Sequence, residues 1–471
     1  MARARLKSLS TRAILLAGWI VFLLYAYPGF LTDDAVDQLI DSRTGSFTDW
    51  HPVVMTQVWR IVGVFISGPA GMLMLQSGLF LVSTYVLLRK WLSGRGAAIT
   101  SACLLVFPPV MAGMAIVCGE SQLVGFSIAA IACLTSARTW VRFAGLGLAV
   151  LACGVCNGGA LAVLPIVVLG FVWITGLRWW QRYGIAVCAW LAVVVTSMVL
   201  ASSLIDTKTR RAEATTAMFD LVGTIAFAPD TDDASLRALM PGVRFAGSDL
   251  QNRARLAYGD PSRFANGANR LFEEPEGLAD AGALARARSR LVRRYPSAYL
   301  ATRWNQALEL LGLSRARGWT VNTHFISAPL RAPAAHAAYK SSVQRTLHKV
   351  VRLTARTPLF VPYVYCFAAI LLLPIAIRRR NRLAATLLAT GLVLEAALFI
   401  VTSTAEYRHS LWLIASTSVA IVSMIAFARA SLQKQDHGGD ADRADHPVGV
   451  SVVGIDADGK EAQLVEKAAE K

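Results

Sequence analysis

The sequence predicts an all-α polytopic membrane protein. It has about ten transmembrane helices, a first external loop bearing interfacial helices, and a small, mainly helical extracytoplasmic domain. Three observations predict it. Hydrophobic residues make up 55% of the chain and charged residues only 16%, a balance far too apolar for one soluble core. The apolar residues gather in runs of roughly 20, the length of one bilayer crossing. Arginine clusters close alternate runs, which is the charge bias that orients helices in a membrane.

The first run follows Arg3, Arg5, Lys7 and Arg12 and extends from Ala13 to Leu31. It is too long for a signal peptide and lacks a clear small-residue cleavage site, so it reads as an uncleaved anchor. Further spans are expected at about 70–88, 97–117, 121–137, 143–157, 159–177, 184–204, 358–377, 383–402 and 409–428. Basic residues follow every even-numbered span: Arg89, Lys90 and Arg95; Arg138 and Arg142; Arg178 and Arg182; Arg378, Arg379, Arg380 and Arg382; Arg429 and Lys434. Both termini are therefore expected in the cytoplasm. The segment 53–67 is apolar but short and holds Gln57 and Arg60. Counting it as a span would put every later arginine cluster on the wrong side, so it is expected to lie along the outer interface.

The domain reading is 1–205 as an N-terminal membrane module of about seven helices, with the acidic external loop 32–52 and interfacial helix 53–67. The extracytoplasmic domain is 206–357, a three-helix membrane module is 358–428, and a polar, disordered tail is 429–471. Within the domain, Ala281 to Arg294 reads as a basic amphipathic helix, broken at Tyr295-Pro296 and restarted from Ser297 to Leu313. Gly, Pro, Asp and Ser over 229–262 suggest irregular loops.

Formal net charge is +17, but the cations sit between apolar runs rather than on a basic face with interleaved aromatics, which excludes a nucleic-acid partner. All seven cysteines lie in or beside apolar runs, so no disulfide framework is expected. Cys153 and Cys156 have redox spacing but no second ligand pair, and helix packing accounts for them.

The chemistry-bearing residues collect on one predicted side. Asp33, Asp34, Asp37, Asp41 and Asp49 crowd the first external loop, ahead of Trp50, His51 and Pro52. Glu120, Asn157 and the group Glu406, Tyr407, Arg408, His409 occupy other predicted external turns. Outside the cytoplasm there is no nucleotide-sugar pool, so a glycan-building enzyme there is most simply supplied by a lipid-anchored sugar. Such a reaction needs a carboxylate to take the acceptor proton and a cation to hold the departing phosphate. Asp34 and Asp33 are candidate bases, with Glu120 as a further catalytic carboxylate. Gln38, Asp49, Trp50, His51, Asn157, Glu406, Arg408 and His409 are candidate substrate-binding residues, with Arg60 as a further phosphate partner. The alternative readings are a helix cap for Asp33 and Asp34, an interfacial anchor for Trp50, and a local ion pair for Glu406 and Arg408. Glu395, well inside a span, is expected to be protonated or paired with another helix. The acidic loop could equally hold a divalent cation, and no metal-ligand set is assigned.

At these residues the sequence resembles the GT-C superfamily of polytopic glycosyltransferases, which includes protein mannosyltransferases and the aminoarabinose transferase of lipid A. Asp34, Gln38, Asp49, Trp50, His51 and Pro52 match the G-x-x-x-x-D-S-x-x-Q…D-W-H-P-P loop of bacterial members. Tyr295 to Arg303 is similar to their second motif, and Glu406 to Arg408 to a third. The chain departs at Ala35, at Val53, at Cys118-Gly119-Glu120 and at Cys156. The resemblance implies a bacterial inner-membrane enzyme that uses a polyprenyl-phosphate sugar, with membrane lipids and a glycan, lipid or protein acceptor as partners. A lipid-linked glycan flippase, or a catalytically inactive assembly partner, are the alternatives.

Overall fold

A computed structural model describes residues 10–49, 51–156, 158–171, 177–206, 211–258, 271–273, 281–314, 341–401 and 405–444. The protein is an all-helical polytopic membrane protein, and every regular element among the described residues is a helix. Helix α1 (Thr11–Ala26) leads to α2 (Asp33–Thr44) and α3 (Val53–Phe65). The membrane bundle continues with α4 (Ala70–Leu88), α5 (Gly94–Leu105), α6 (Pro108–Met114), α7 (Gly119–Leu134), α8 (Thr139–Gly154), α9 (Gly159–Phe171) and α10 (Trp179–Leu204). The polar domain holds α11 (Arg211–Phe227), α12 (Asp233–Leu239), α13 (Leu250–Tyr258), α14 (Ala281–Arg294), α15 (Pro296–Leu310) and α16 (Ser342–Thr354). Three helices then return to the bundle: α17 (Pro362–Arg378), α18 (Arg382–Val401) and α19 (Leu411–Ala444).

Among the described residues, four segments are long and apolar enough to cross a bilayer: Ala70–Leu88, Trp179–Leu204, Arg382–Ile400 and Tyr407–Gln433. Helices α5 and α6 together make a fifth, bent by 67°. The bend corrects the expectation of one continuous span over 97–117. Pro108 and Pro109 lack the N–H groups that would continue α5, but they are well placed in the first turn of a new helix. Other expected spans are shorter: α7, α8 and α17 have 16 or 17 residues, while α9 is described as far as Phe171 and the rest of its expected span, 172–176, lies outside the described residues. The last helix runs beyond the expected boundary near residue 429 as far as Ala444.

Tertiary contacts put helix ends in two groups. At one end, an added Cβ on Gly94 would lie 3.3 Å from the Thr11 hydroxyl and 3.8 Å from Arg89, so the starts of α1 and α5 meet the end of α4. At the other, the Tyr27–Leu31 turn meets the end of α6, and Asp206 beyond α10 meets Phe47: Phe47 N donates to Asp206 Oδ2 (2.9 Å) and Asp206 N to Phe47 O (3.0 Å). The arginine-rich turns and the acidic turns therefore occupy opposite ends of the bundle. Between them Gln76 and Gln122 are both fully buried; Gln122 Nε2 donates to Gln76 Oε1 at 2.7 Å, and Gln76 Nε2 donates to the carbonyls of Met114 and Ile116. These bonds satisfy main-chain oxygens freed where α6 ends, in a region without water.

Helix α3 is split lengthwise. Val53, Val54, Met55, Thr56 and Trp59 are buried, and Val54 presses on Gly154 at the end of α8. Ile61, Val64 and Phe65 are exposed, the last two by 79% and 83%. An apolar helix end left so open suits the headgroup–acyl boundary.

The polar segment packs on a second hydrophobic cluster of Leu221, Val222, Ile225, Leu250, Leu271, Leu284 and Leu291, within the same compact unit as the bundle. Two helices, α12 and α13, interrupt the irregular loops expected over 229–262, of which 229–232 and 240–249 remain non-helical and 259–262 lie outside the described residues. The local acids act as caps there: Asp232 accepts from Ser235 N (2.9 Å), and Asp233 accepts from Asp249 N (2.7 Å) and Leu250 N (2.9 Å). The expected helices 281–294 and 297–313 appear as α14 and α15, with Pro296 at the first position of α15. Buried Asp220 on α11 ties both together. Its carboxylate pairs with Arg288 and with Arg303 at 2.5 Å each, and the Arg303 and Asp220 side chains are only 2% and 1% exposed.

Candidate active site

Helix α2 begins at Thr32, whose Oγ accepts from Ala35 N at 3.2 Å. Thr32, not Asp33 or Asp34, is therefore the cap, and the two acids occupy the first turn, where the positive end of the helix dipole favours them. Gly45, with φ +73°, closes the helix. Helix α7 begins one residue before Glu120. The two starts are stitched together by a single parallel β-bridge, Phe30 to Ile116, in which Phe30 N donates to Ala115 O (2.9 Å) and Val117 N to Phe30 O (2.8 Å). Gly29 makes this approach feasible. Its φ is +121°, and a Cβ there would meet Val117 Cγ2 at 2.8 Å.

A short 3₁₀ turn, Tyr407–Ser410, descends onto both starts. Tyr407 is buried and donates to Pro109 O at 3.1 Å, which fixes the turn against α6. Arg408 then reaches Asp34 Oδ2 from Nη2 (2.8 Å), Glu406 Oε2 from Nε (2.7 Å) and the Thr32 hydroxyl oxygen from Nη1 (3.3 Å). His409 Nδ1 lies 2.8 Å from Glu120 Oε1. An ionised Glu120 can only accept, so Nδ1 then carries the ring proton and Nε2 is the basic nitrogen. Behind them the Ser410 hydroxyl donates to Glu395 Oε1 at 2.8 Å, which ties the turn to α18.

Exposure grades this cluster from mouth to floor. The Asp34 side chain is 49% accessible and Glu406 33%, while His409, Glu120 and Arg408 fall to 16%, 14% and 11%. A water-borne hydroxyl can therefore reach Asp34, while the guanidinium beneath sits in lower dielectric, where it holds an anion more strongly. His51 is within electrostatic reach of Asp34, Asp37 and Arg408; burial is the main cause that pulls its pKa below the ordinary 6.5 and leaves it neutral at pH 7. On the next turns of α2, burial first and Asp37 second raise the carboxyl of Asp41.

Asp34, Glu120, His51, Glu406, Arg408 and His409 thus converge from separate stretches of sequence. Gln38 is buried one turn along α2 from Asp34, and Asp49 is half-buried in the loop before α3. Asp33 is placed by its backbone, at the first position of α2. Trp50 and Asn157 lie outside the described residues. Arg60 is not part of the cluster. Its guanidinium lies 5.8 Å from the Phe47 ring centre and against Gly45, at the opposite end of α2, roughly 16 Å from Asp34 at 1.5 Å per helical residue. Among the described residues no group of three His, Cys, Asp or Glu is arranged to hold a metal ion; the cation set between Asp34 and Glu406 is Arg408. Sequence reasoning missed Thr32 and Ser410, which are visible in sequence only as neighbours of acidic or basic motif residues.

No protein-family model matches the chain, and neither does any curated protein. Among solved structures, it is similar to ArnT from Cupriavidus metallidurans bound to undecaprenyl phosphate, at 15% identity over 87% of this chain and 77% of that chain, with a TM-score of 0.33. The apo state of the same protein gives 14% identity over 86% and 75%, with a TM-score of 0.32.

Proposed function

We propose that this chain is an inverting glycosyltransferase of GT-C type, which moves a sugar from a polyprenyl-phosphate donor to a hydroxyl of an envelope glycan, lipid or protein. The observation that carries the reading is the joining of Asp34 to Arg408 at the mouth of one polar cluster, by residues 374 positions apart. In this reading Asp34 accepts the proton of the acceptor hydroxyl, whose oxygen attacks the anomeric carbon from the face opposite the phosphate. The phosphate leaves as a stable anion held by Arg408. Donor phosphate and Asp34 compete for the same guanidinium, so donor binding would draw Arg408 away and release the carboxylate to act as base. His409 is held by Glu120 through Nδ1, so it donates to the phosphate from Nε2 only in the imidazolium form. Glu406, Gln38, Asp49, Trp50 and Asn157 line the approach. A metal ion is not required by the residues in place, because Arg408 supplies the charge.

In the same reading the acidic end of the bundle faces outward from a bacterial cytoplasmic membrane. Arginines at the other end face the cytoplasm with both termini, and residues 206–357 form the extracytoplasmic domain. The exposed apolar end of α3 offers the prenyl chain a route beside the cluster.

The test is transfer of labelled sugar from a prenyl-phosphate donor by proteoliposomes. Asp34→Asn should lower turnover by about 100-fold or more, the ordinary contribution of a positioned base. Asp37→Asn, on an exposed neighbour, should leave most of it. Full turnover by Asp34→Asn would end the assignment. Donor that crosses the bilayer unconsumed would favour the flippase.

A further inference from the structure

Helix α16 divides into three faces at about 100° per residue. Gln344, Leu347, His348 and Val351 turn inward, and Val351 is fully buried in the core of the bundle. Arg345, Lys349 and Arg352 form a second, exposed face, continued by Arg356 just past the helix end. Val343, Val350 and Leu353 form the third and are 47%, 44% and 68% exposed. We propose that the second and third faces together dock on a leaflet of anionic phospholipid. The apolar stripe enters the headgroup–acyl boundary, and the cations beside it take the lipid phosphates.

Position is the first support. Near the start of α16, Gln344 Nε2 donates to Tyr25 O (3.0 Å) and Tyr27 O (3.2 Å), where α1 ends. At its other end only the short turn Pro358–Phe360 precedes α17, whose Phe367, Ile370 and Leu371 are exposed as a lipid-facing wall requires. Between these anchors α16, roughly 20 Å long, packs on α1 and α6. Both ends are thus held where membrane helices stop or start, which lays the helix along the membrane boundary. Charge is the second support. No Asp or Glu occurs between Glu309 and Glu395, and none occurs in α1 or α6. The cationic face therefore has no carboxylate on its own helix or on the helices it packs against, and a layer of phosphodiesters is its complement. The third support is the order of the faces. The exposed apolar stripe adjoins the cations, the pattern of a helix that lies in an interface. A soluble anion would leave that stripe in water, whereas a leaflet covers it. The docking holds whichever reaction the acidic cluster performs.

The test uses the full-length protein in lipid nanodiscs with a trace of phosphatidylglycerol or phosphatidylcholine, each carrying the same photoactivatable acyl chain. Labelled peptides are mapped by mass spectrometry. The phosphatidylglycerol probe should label 342–354 in preference to the phosphatidylcholine probe, and excess inorganic phosphate should leave that preference in place. Lys349→Gln should lower the preference about fivefold, and Arg345→Gln with Lys349→Gln and Arg352→Gln should abolish it. All three side chains are exposed, so these variants keep the fold. Equal labelling by the two probes, or no labelling of 342–354, would overturn the proposal. So would loss of the preference to inorganic phosphate, or a preference unchanged in the triple variant.

Discussion

The ion pair at the centre of the polar domain gives a prediction with a defined size. Arg303→Met removes a guanidinium bonded to Asp220, where both side chains are at most 2% exposed. Arg288 still touches the other carboxylate oxygen, but its side chain is 38% exposed and water screens it. The variant therefore leaves a nearly uncompensated charge in a core of Leu221, Ile225 and Leu291, a loss of about 3–5 kcal/mol. At roughly 2–4 °C per kcal/mol for a domain of this order, the midpoint of its unfolding should fall by about 6–20 °C. The double variant Asp220→Leu with Arg303→Met removes both charges and should recover most of the loss. Scanning fluorimetry of the detergent-solubilised protein measures both. A single variant within about 1 kcal/mol of wild type, or a double variant no better than the single, would refute the reasoning. Because α15 also packs against α18 and the Tyr407–Ser410 turn, the loss should extend to the candidate site.

Two further outcomes concern the cluster itself. Arg408→Lys keeps the charge but cannot span Asp34, Glu406 and Thr32 together, so transfer should fall about 10- to 100-fold, mainly through the KM for donor; an unchanged KM would refute the phosphate role. His51 has a folded-state pKa below 6.5, so as pH falls through 6.5 the unfolded chain takes up a proton first and stability declines until the folded value is passed. That decline should be absent from unfolding curves of His51→Gln measured between pH 7 and 5, and its persistence would show that other groups cause it.

The arginines that follow alternate runs made the two-ended bundle legible, because charge bias and helix direction are linked by membrane physics alone. The meeting of Asp34, Glu120, Arg408 and His409 was legible for the same reason: turns at one end of a bundle are close in space. The bend at Pro108-Pro109 was also written in the chain, since two prolines mark a new helix start, yet the continuous apolar pattern over 97–117 hid it. Over 229–262 the residues that signal turns also cap helices, and only Asp232 and Asp233 bonded to their amides distinguish the two. The Asp220–Arg303 pair was not legible. Its partners are 83 residues apart, and nothing local marks either as buried. Tyr295 to Arg303, taken from sequence as a family-like motif, turns out to hold the domain together through Arg303.

The rung between Phe30 and Ile116 joins the chains ahead of Asp34 and Glu120 through main-chain atoms alone. Side chains along both strands can therefore drift without parting the two acids, since every residue but proline offers the same amide and carbonyl. The exception is Gly29, where the crowding of Val117 and the positive φ bar any larger residue. Divergence in this region should then look permissive nearly everywhere and frozen at a single position that bears no functional group.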